Sequence, residues 1–184
     1  MNNSIIISSQ ENILLISLKK FYNMNKEARI IIDIINGTSK ISIRLINFLI
    51  TNYSKKNNLI YKINNNNFNI YSNYKSQLKS YNKKYFDPFS RGNRIPFFFK
   101  FENDEDCLIT TIGQLNFFRW YLNKKLNNYI LQNFEKLEKG LMLFKKKNLT
   151  KVKKKVKKNN IIEKNPIIIN NKKKKINNII VSFD

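Results

Sequence analysis

Past Gly140 the chain changes character, and that change limits where a hydrophobic core can come from. Lys145 to Lys147, Lys151, Lys153 to Lys155, Lys157, Lys158 and Lys172 to Lys175 repel one another, with few apolar residues between them to offset the entropy of ordering. Fourteen lysines stand there against Glu163 and Asp184, so this segment holds +12 of the net +23. The core must therefore come from what precedes. The pattern predicts an N-terminal lead-in at 1–12, a globular α+β domain at 13–139, a disordered Lys-rich linker at 140–175 and a strand-like end at 176–184, INNIIVSFD. The body keeps 21 basic and ten acidic residues, and at 42% hydrophobic and 13% aromatic the chain can fill one domain. Asn, Lys and Ile recur throughout, as in Asn64 to Asn67 and Ile167 to Ile169, the usage expected of a genome rich in A and T, so part of the charge reflects codon bias.

Within the body, periodicity and stop signals give a compact single domain of several helices with two short antiparallel hairpins. Ser17 is placed to cap a short helix through Tyr22. Ala28 to Ile35 is an apolar run that the following Asn36-Gly37, C-cap chemistry, marks as helix. Thr38 or Ser39 opens another, with Ile41, Leu45, Phe48 and Leu49 inward. Leu59 to Ile63 and Phe68 to Tyr71 alternate about the asparagines as one hairpin, and Ile95 to Phe101 with Cys107 to Thr111 form a second. Thr111 and Gln114 fit a capping box, after which Leu115, Phe118, Leu122, Leu126, Tyr129, Ile130, Phe134 and Leu137 keep one face of a long helix to Lys139. Arg119 and Trp120 lie near its start, where packing is the preferred role for the ring.

The most telling chemistry is in Tyr74 to Arg94, YKSQLKSYNKKYFDPFSRGNR. Tyr74, Leu78, Tyr81 and Tyr85 share a helical face, read as core, and Lys75, Lys79 and Lys83 form a stripe beside it. Asp87-Pro88 stops the helix, and Arg91 and Arg94 follow in a loop. Lysine heads neutralise phosphates, while guanidiniums grip phosphate oxygens and rings stack on bases. The candidate contacts are thus Lys75, Lys79, Lys83, Lys84, Arg91 and Arg94, with Tyr85 or Phe86 to stack and Lys153, Lys154 and Lys155 of the arm to add non-specific affinity.

Other chemistries have little to work with. Histidine is absent, which removes histidine triads and Cys/His zinc sites, and Cys107 alone forms no intramolecular disulfide. Cys107 is expected as a buried strand residue. Glu102 to Asp106, ENDED, carries carboxylates of the kind that hold Mg²⁺, but all fall in one predicted turn, for which a solvated loop is the better reading. No run reaches 18 apolar residues and no basic region precedes Ile5 to Ile7, so neither a membrane span nor a signal peptide is expected.

Thr38 to Lys56 (TSKISIRLINFLITNYSKK), Phe68 to Ile95 with its NIYSNYKSQLKSYNKKYFDPFSR, Thr110 to Tyr121 (TTIGQLNFFRWY) and the closing IIVSFD together resemble a protein family of nucleocytoplasmic large DNA viruses, the giant viruses of protists. Members of that family tend to carry Cys-Arg-Arg where this chain has Ser90-Arg91-Gly92, and a tryptophan at the position of Asn47 or Phe48. The resemblance implies an intracellular viral protein of the host-cytoplasm viral factory or the virion, with the nucleus also open to it. The expected function is non-enzymatic nucleic-acid binding in genome packaging, transcription or replication, with no cofactor and no metal, and with DNA ahead of RNA. The alternative is a virion structural or adaptor protein that meets an acidic viral protein through its basic surface, FDPF and the terminal strand.

Overall fold

The central element of the fold is the helix IGQLNFFRWYLN, Ile112–Asn123, rich in apolar residues and buried on nearly every side: only Arg119 and Asn123 escape full burial. The computed structural model describes residues 7–63, 66–101 and 105–162, with side chains as far as 150. The chain divides into two units, Met1–Leu143 and Phe144–Asp184.

In the first unit, α1 (Ser9–Met24) and α2 (Ala28–Asn36) lead to α3 (Ile43–Phe48), a π turn (Leu49–Tyr53) and α4 (Ser54–Asn57). Strands β1 (Ile60–Ile63) and β2 (Asn66–Asn69) precede α5 (Ile70–Tyr85), and β3 (Ile95–Lys100) and β4 (Glu105–Thr110) precede α6 (Ile112–Asn123) and α7 (Leu126–Gln132). Helix α8 spans Phe134–Ile162. The two antiparallel hairpins pair Ile60 with Asn69 and Ile95 with Thr110, bearing out the α+β reading. The buried α6 is packed by α1 on one side and α5 on another, with β3 against α1.

Local chemistry explains the boundaries. Ser8 caps α1 in a reciprocal box: its amide donates to Glu11 Oε2 at 2.9 Å and its hydroxyl accepts from the Glu11 amide at 3.3 Å. The helix thus starts inside the expected lead-in and well before Ser17. Gly37 closes α2 at φ 81°, as Asn36-Gly37 predicts. Ser42, rather than Thr38 or Ser39, caps α3, and Ile41, Leu45, Phe48 and Leu49 are buried as expected. In the π turn the Thr51 hydroxyl donates to the Asn47 carbonyl at 2.7 Å, and Ser54 donates to Ile50 at 2.6 Å. The long helix expected from Leu115 to Lys139 is three helices, broken at Lys125, whose φ is 49°, and at Asn133. The Lys124 carbonyl at that break accepts the Tyr61 hydroxyl, and burial pushes the Tyr61 phenol's pKa up.

Alternation on the second hairpin buries Ile95, Phe97, Phe99, Leu108 and Thr110. That parity turns Cys107 outward with Phe98, which corrects its expected burial. Gly140 is not a break either: α8 runs through it, and a Cβ there would lie 3.2 Å from the Phe48 ring, so the glycine admits close packing. Residues up to Ile162 are helical, in keeping with the good helix propensity of lysine. The terminal strand expected at 176–184 lies outside the described residues.

At the start of α6, a Cβ on Gly113 would sit 2.6 Å from the Lys84 backbone carbonyl, whereas one on Gly92 would meet only Thr111 at 3.8 Å. Gly113→Ala should therefore destabilise the chain by about 2 kcal/mol or more and Gly92→Ala by under about 0.5 kcal/mol in denaturant titrations. Equal effects would show that α5 and α6 do not approach so closely.

Candidate nucleic-acid interface

Helix α5 starts because the Asn69 side chain accepts from the Ser72 amide at 2.9 Å. Its inward face is aromatic: Tyr74 is buried, with ring centroids 6.0 Å from Phe86 and 6.1 Å from Trp120, while Leu78 and Tyr81 are half-buried. Lys75 and Lys79 point to solvent. At Asn82 the helix kinks, with φ 51° and ψ −179°, and the side-chain oxygen accepts from the Lys84 amide at 2.9 Å. The four positions expected on one unbroken face are therefore divided, with Tyr85, half-buried, beyond the kink. Lys83 and Lys84 are exposed there, as are Arg91 and Arg94 in the following loop.

The cations differ in their electrostatics. Lys84 Nζ lies 3.1 Å from Glu11 Oε1 and 4.9 Å from the centre of the Tyr85 ring, so one face of that ring already has a partner. The Tyr85 hydrogen bond and then Glu11 raise the Lys84 pKa above its ordinary value. Arg91 grips Asp87 with Nε to Oδ2 at 2.6 Å and Nη2 to Oδ1 at 2.9 Å, which raises the Arg91 pKa. Its side chain remains 66% exposed, so the pair contributes about 0.2–1 kcal/mol. Lys75, Lys79, Lys83 and Arg94 form no ion pair with a carboxylate of the described residues.

Phe86 does not belong to this surface. It is 1% exposed and packs on Phe117 at 5.4 Å, Trp120 at 5.7 Å and Tyr81 at 6.2 Å, so it cannot stack on a base. Asp87 and Pro88 are also buried, so that of FDPF the half-buried Phe89 is the accessible residue. The Ser90 hydroxyl is buried without a hydrogen-bond partner among the described residues. Trp120 is a packing residue, its indole N–H donating to Asn73 Oδ1 at 2.7 Å. Lys153, Lys154 and Lys155 lie on the α8 backbone. Of the carboxylates expected in one turn, Glu105 and Asp106 instead open β4, with Asp106 3.9 Å from Arg29, and Glu102 to Asp104 fall outside the described residues. No group of three His, Cys, Asp or Glu able to hold a metal occurs among the described residues, and no helix there is long and apolar enough to cross a membrane.

A buried central helix, two hairpins and an exposed cationic edge define a basic α+β protein. The chain belongs to a family of unknown function (DUF7197), whose model matches residues 2–184. It is similar to the uncharacterized protein L507 of Acanthamoeba polyphaga mimivirus, 37% identical over 140 residues that cover 72% of this chain and 54% of that protein. The chain thus spans about half the length of the curated relative it matches. The expected giant-virus family is borne out. No solved structure matches.

The ion pair beside the site has a pH signature. The Ser8 backbone and then Lys84 hold the Glu11 carboxyl below its ordinary 4.5. A depressed carboxyl contributes stability above its unfolded value and loses it as pH falls through the folded one. Glu11→Gln should cost about 0.5–1 kcal/mol at neutral pH, and the deficit should shrink below pH 4.5. Thermal melts over a pH series check this; a deficit constant with pH would rule out the ion pair as its source.

Proposed function

We propose that this protein binds nucleic acid without catalysing a reaction, acting in viral genome packaging, transcription or replication, with DNA the preferred polymer over RNA. The observation that carries this reading is the exposure of Lys75, Lys79, Lys83 and Arg94 with no carboxylate partner among the described residues. A solvated cation without an internal partner is free to replace the counterions of a phosphate, the main source of non-specific affinity. Arg91 has three further N–H donors beyond the two it gives Asp87, so it can hold a phosphate oxygen from a fixed position. The viral family supports an environment in which such a polymer is present.

A second reading, a structural or adaptor protein, is favoured by the outer face of the β3–β4 ribbon, where Phe98 is 52% and Ile109 56% exposed beside Cys107. Capture from infected lysate separates the two: partners lost on nuclease treatment support nucleic acid, and partners that persist support the adaptor.

Fluorescence anisotropy with short duplex and single-stranded oligonucleotides tests the leading reading. Affinity should fall steeply with salt, and the Lys75→Gln, Lys79→Gln, Lys83→Gln triple variant should flatten the log–log salt slope by about 2–3. Replacing Lys153, Lys154 and Lys155 by Gln should flatten it further. Failure to bind any oligonucleotide at low salt would sink the proposal.

A further inference from the structure

Between α1 and the kinked end of α5 lies an open cleft of about 440 Å³, within the size range of small-molecule sites. Leu14, Ser17, Tyr81, Asn82, Tyr85 and Arg119 line it. Arg119 is the half-buried cation on α6, a helix buried elsewhere except at its last residue, Asn123. Its Nη1 donates to Ser17 Oγ at 2.9 Å and its Nη2 to Asn116 Oδ1 at 2.7 Å, both neutral acceptors. Asn116 is itself fixed, donating to the Tyr85 carbonyl at 2.8 Å. A guanidinium has five N–H donors, so three lack a partner among the described residues, and no carboxylate there pairs with this charge. A cation that is half removed from water, held rigid by neutral groups and left without a counter-charge is set up for an anion from outside.

The walls narrow the choice of anion. Tyr81 is half-buried and stacked on Phe86 at an interplanar angle of 17°, which fixes its plane. Tyr85 is held through its carbonyl by Asn116. Aromatic walls suit a planar ring, and the Ser17 and Asn82 side chains supply hydrogen-bonding groups of the kind a sugar or base edge uses. The guanidinium fork matches a phosphate bidentately. We infer that the cleft binds a nucleoside monophosphate group, with its phosphate on Arg119 and its base against Tyr81 and Tyr85. The group arrives either as a free nucleotide or as the phosphorylated end of a strand. This inference rests on the nucleic-acid reading for its class of ligand, and uses none of the unpaired cations that carry that reading.

Calorimetric titration of the full chain with AMP and dTMP, at salt high enough to suppress non-specific phosphate contacts, tests it. Saturable binding is expected, with Arg119→Gln weakening it about tenfold or more and Arg119→Lys less so. Because Arg119→Gln also loses the Ser17 contact, Ser80→Trp serves as a second variant. Ser80 is an exposed helix residue lining the cleft, and the indole should block entry with the Arg119 bonds intact. Both variants should melt cooperatively, and the Lys75, Lys79, Lys83 triple variant should bind nucleotide as the parent does. A preference for 5′-phosphorylated over 5′-hydroxyl oligonucleotides would assign the strand end, and equal binding would assign the free nucleotide. The inference is overturned if the folded parent binds no mononucleotide, or if Arg119→Gln and Ser80→Trp both bind unchanged. Oligonucleotide binding without mononucleotide binding would remove the cleft and leave the broader reading standing, and the reverse result would do the opposite.

Discussion

Burying α6 on nearly every side creates a debt of polar groups, and the way that debt is met sets the rest of the body. A buried donor or acceptor without a partner costs about 1–3 kcal/mol. Gln114 accepts from the Thr110 hydroxyl and donates to the Pro88 carbonyl, both at 2.8 Å. Asn116 reaches the Tyr85 carbonyl, Trp120 reaches Asn73, and the Tyr22 hydroxyl of α1 donates to the Leu115 carbonyl at 2.7 Å. The Asp87 amide donates to Gly113 at 3.2 Å. Together these bonds tie α6 to four neighbours: α1, α5, the end of β4 and the loop after α5. Apolar contact alone tolerates sliding, whereas these directional bonds fix where the loop leaves the surface.

That arrangement splits a short aromatic and basic stretch into two populations within a few residues. Phe86, Asp87 and Pro88 face inward, while Lys83, Lys84, Arg91 and Arg94 stay outside. The Asp87 carboxylate joins the two, accepting from Arg91 at the surface and from the Phe89 amide at 3.3 Å. Of these four cations it is Arg91 that is anchored to the core through this buried acid.

Elements with a local chemical signature were legible in the sequence. Asn36-Gly37 marked the end of α2, and alternation marked the β3–β4 hairpin and β1, whereas β2 forms over Asn66–Asn69 and the expected strand residues Ile70 and Tyr71 open α5. The Thr111 cap was also visible, its hydroxyl accepting from the Gln114 amide at 3.1 Å, but the reciprocal half was not formed because burial drew the Gln114 side chain to Thr110 and Pro88. What stayed hidden depended on tertiary context. Lys125 takes a left-handed conformation that no lysine advertises, so three helices read as one. Phe86 looked like a stacking ring because it sits among cations, and only the packing of Phe117 and Trp120 shows which way it turns. Arg119 drew attention beside Trp120, but its meeting with Ser17, 102 residues away, had no signal in sequence spacing.

The treatment of left-handed backbone has a consequence at the level of the gene. Among the described residues positive φ occurs at Gly37, Asn58, Asn82 and Lys125, so one of four such sites is glycine. The chain has only four glycines, and two of the others, Gly113 and Gly140, stand where a Cβ would press on Lys84 or Phe48. Asparagine tolerates the left-handed region better than most residues, though each non-glycine occupant still gives up part of about 1–2 kcal/mol. Every glycine codon opens on a pair of guanines, while asparagine codons open on a pair of adenines. Where coding drifts toward A and T, turns can be handed to asparagine at tolerable strain, while Gly113 and Gly140 stand where a side chain has little room.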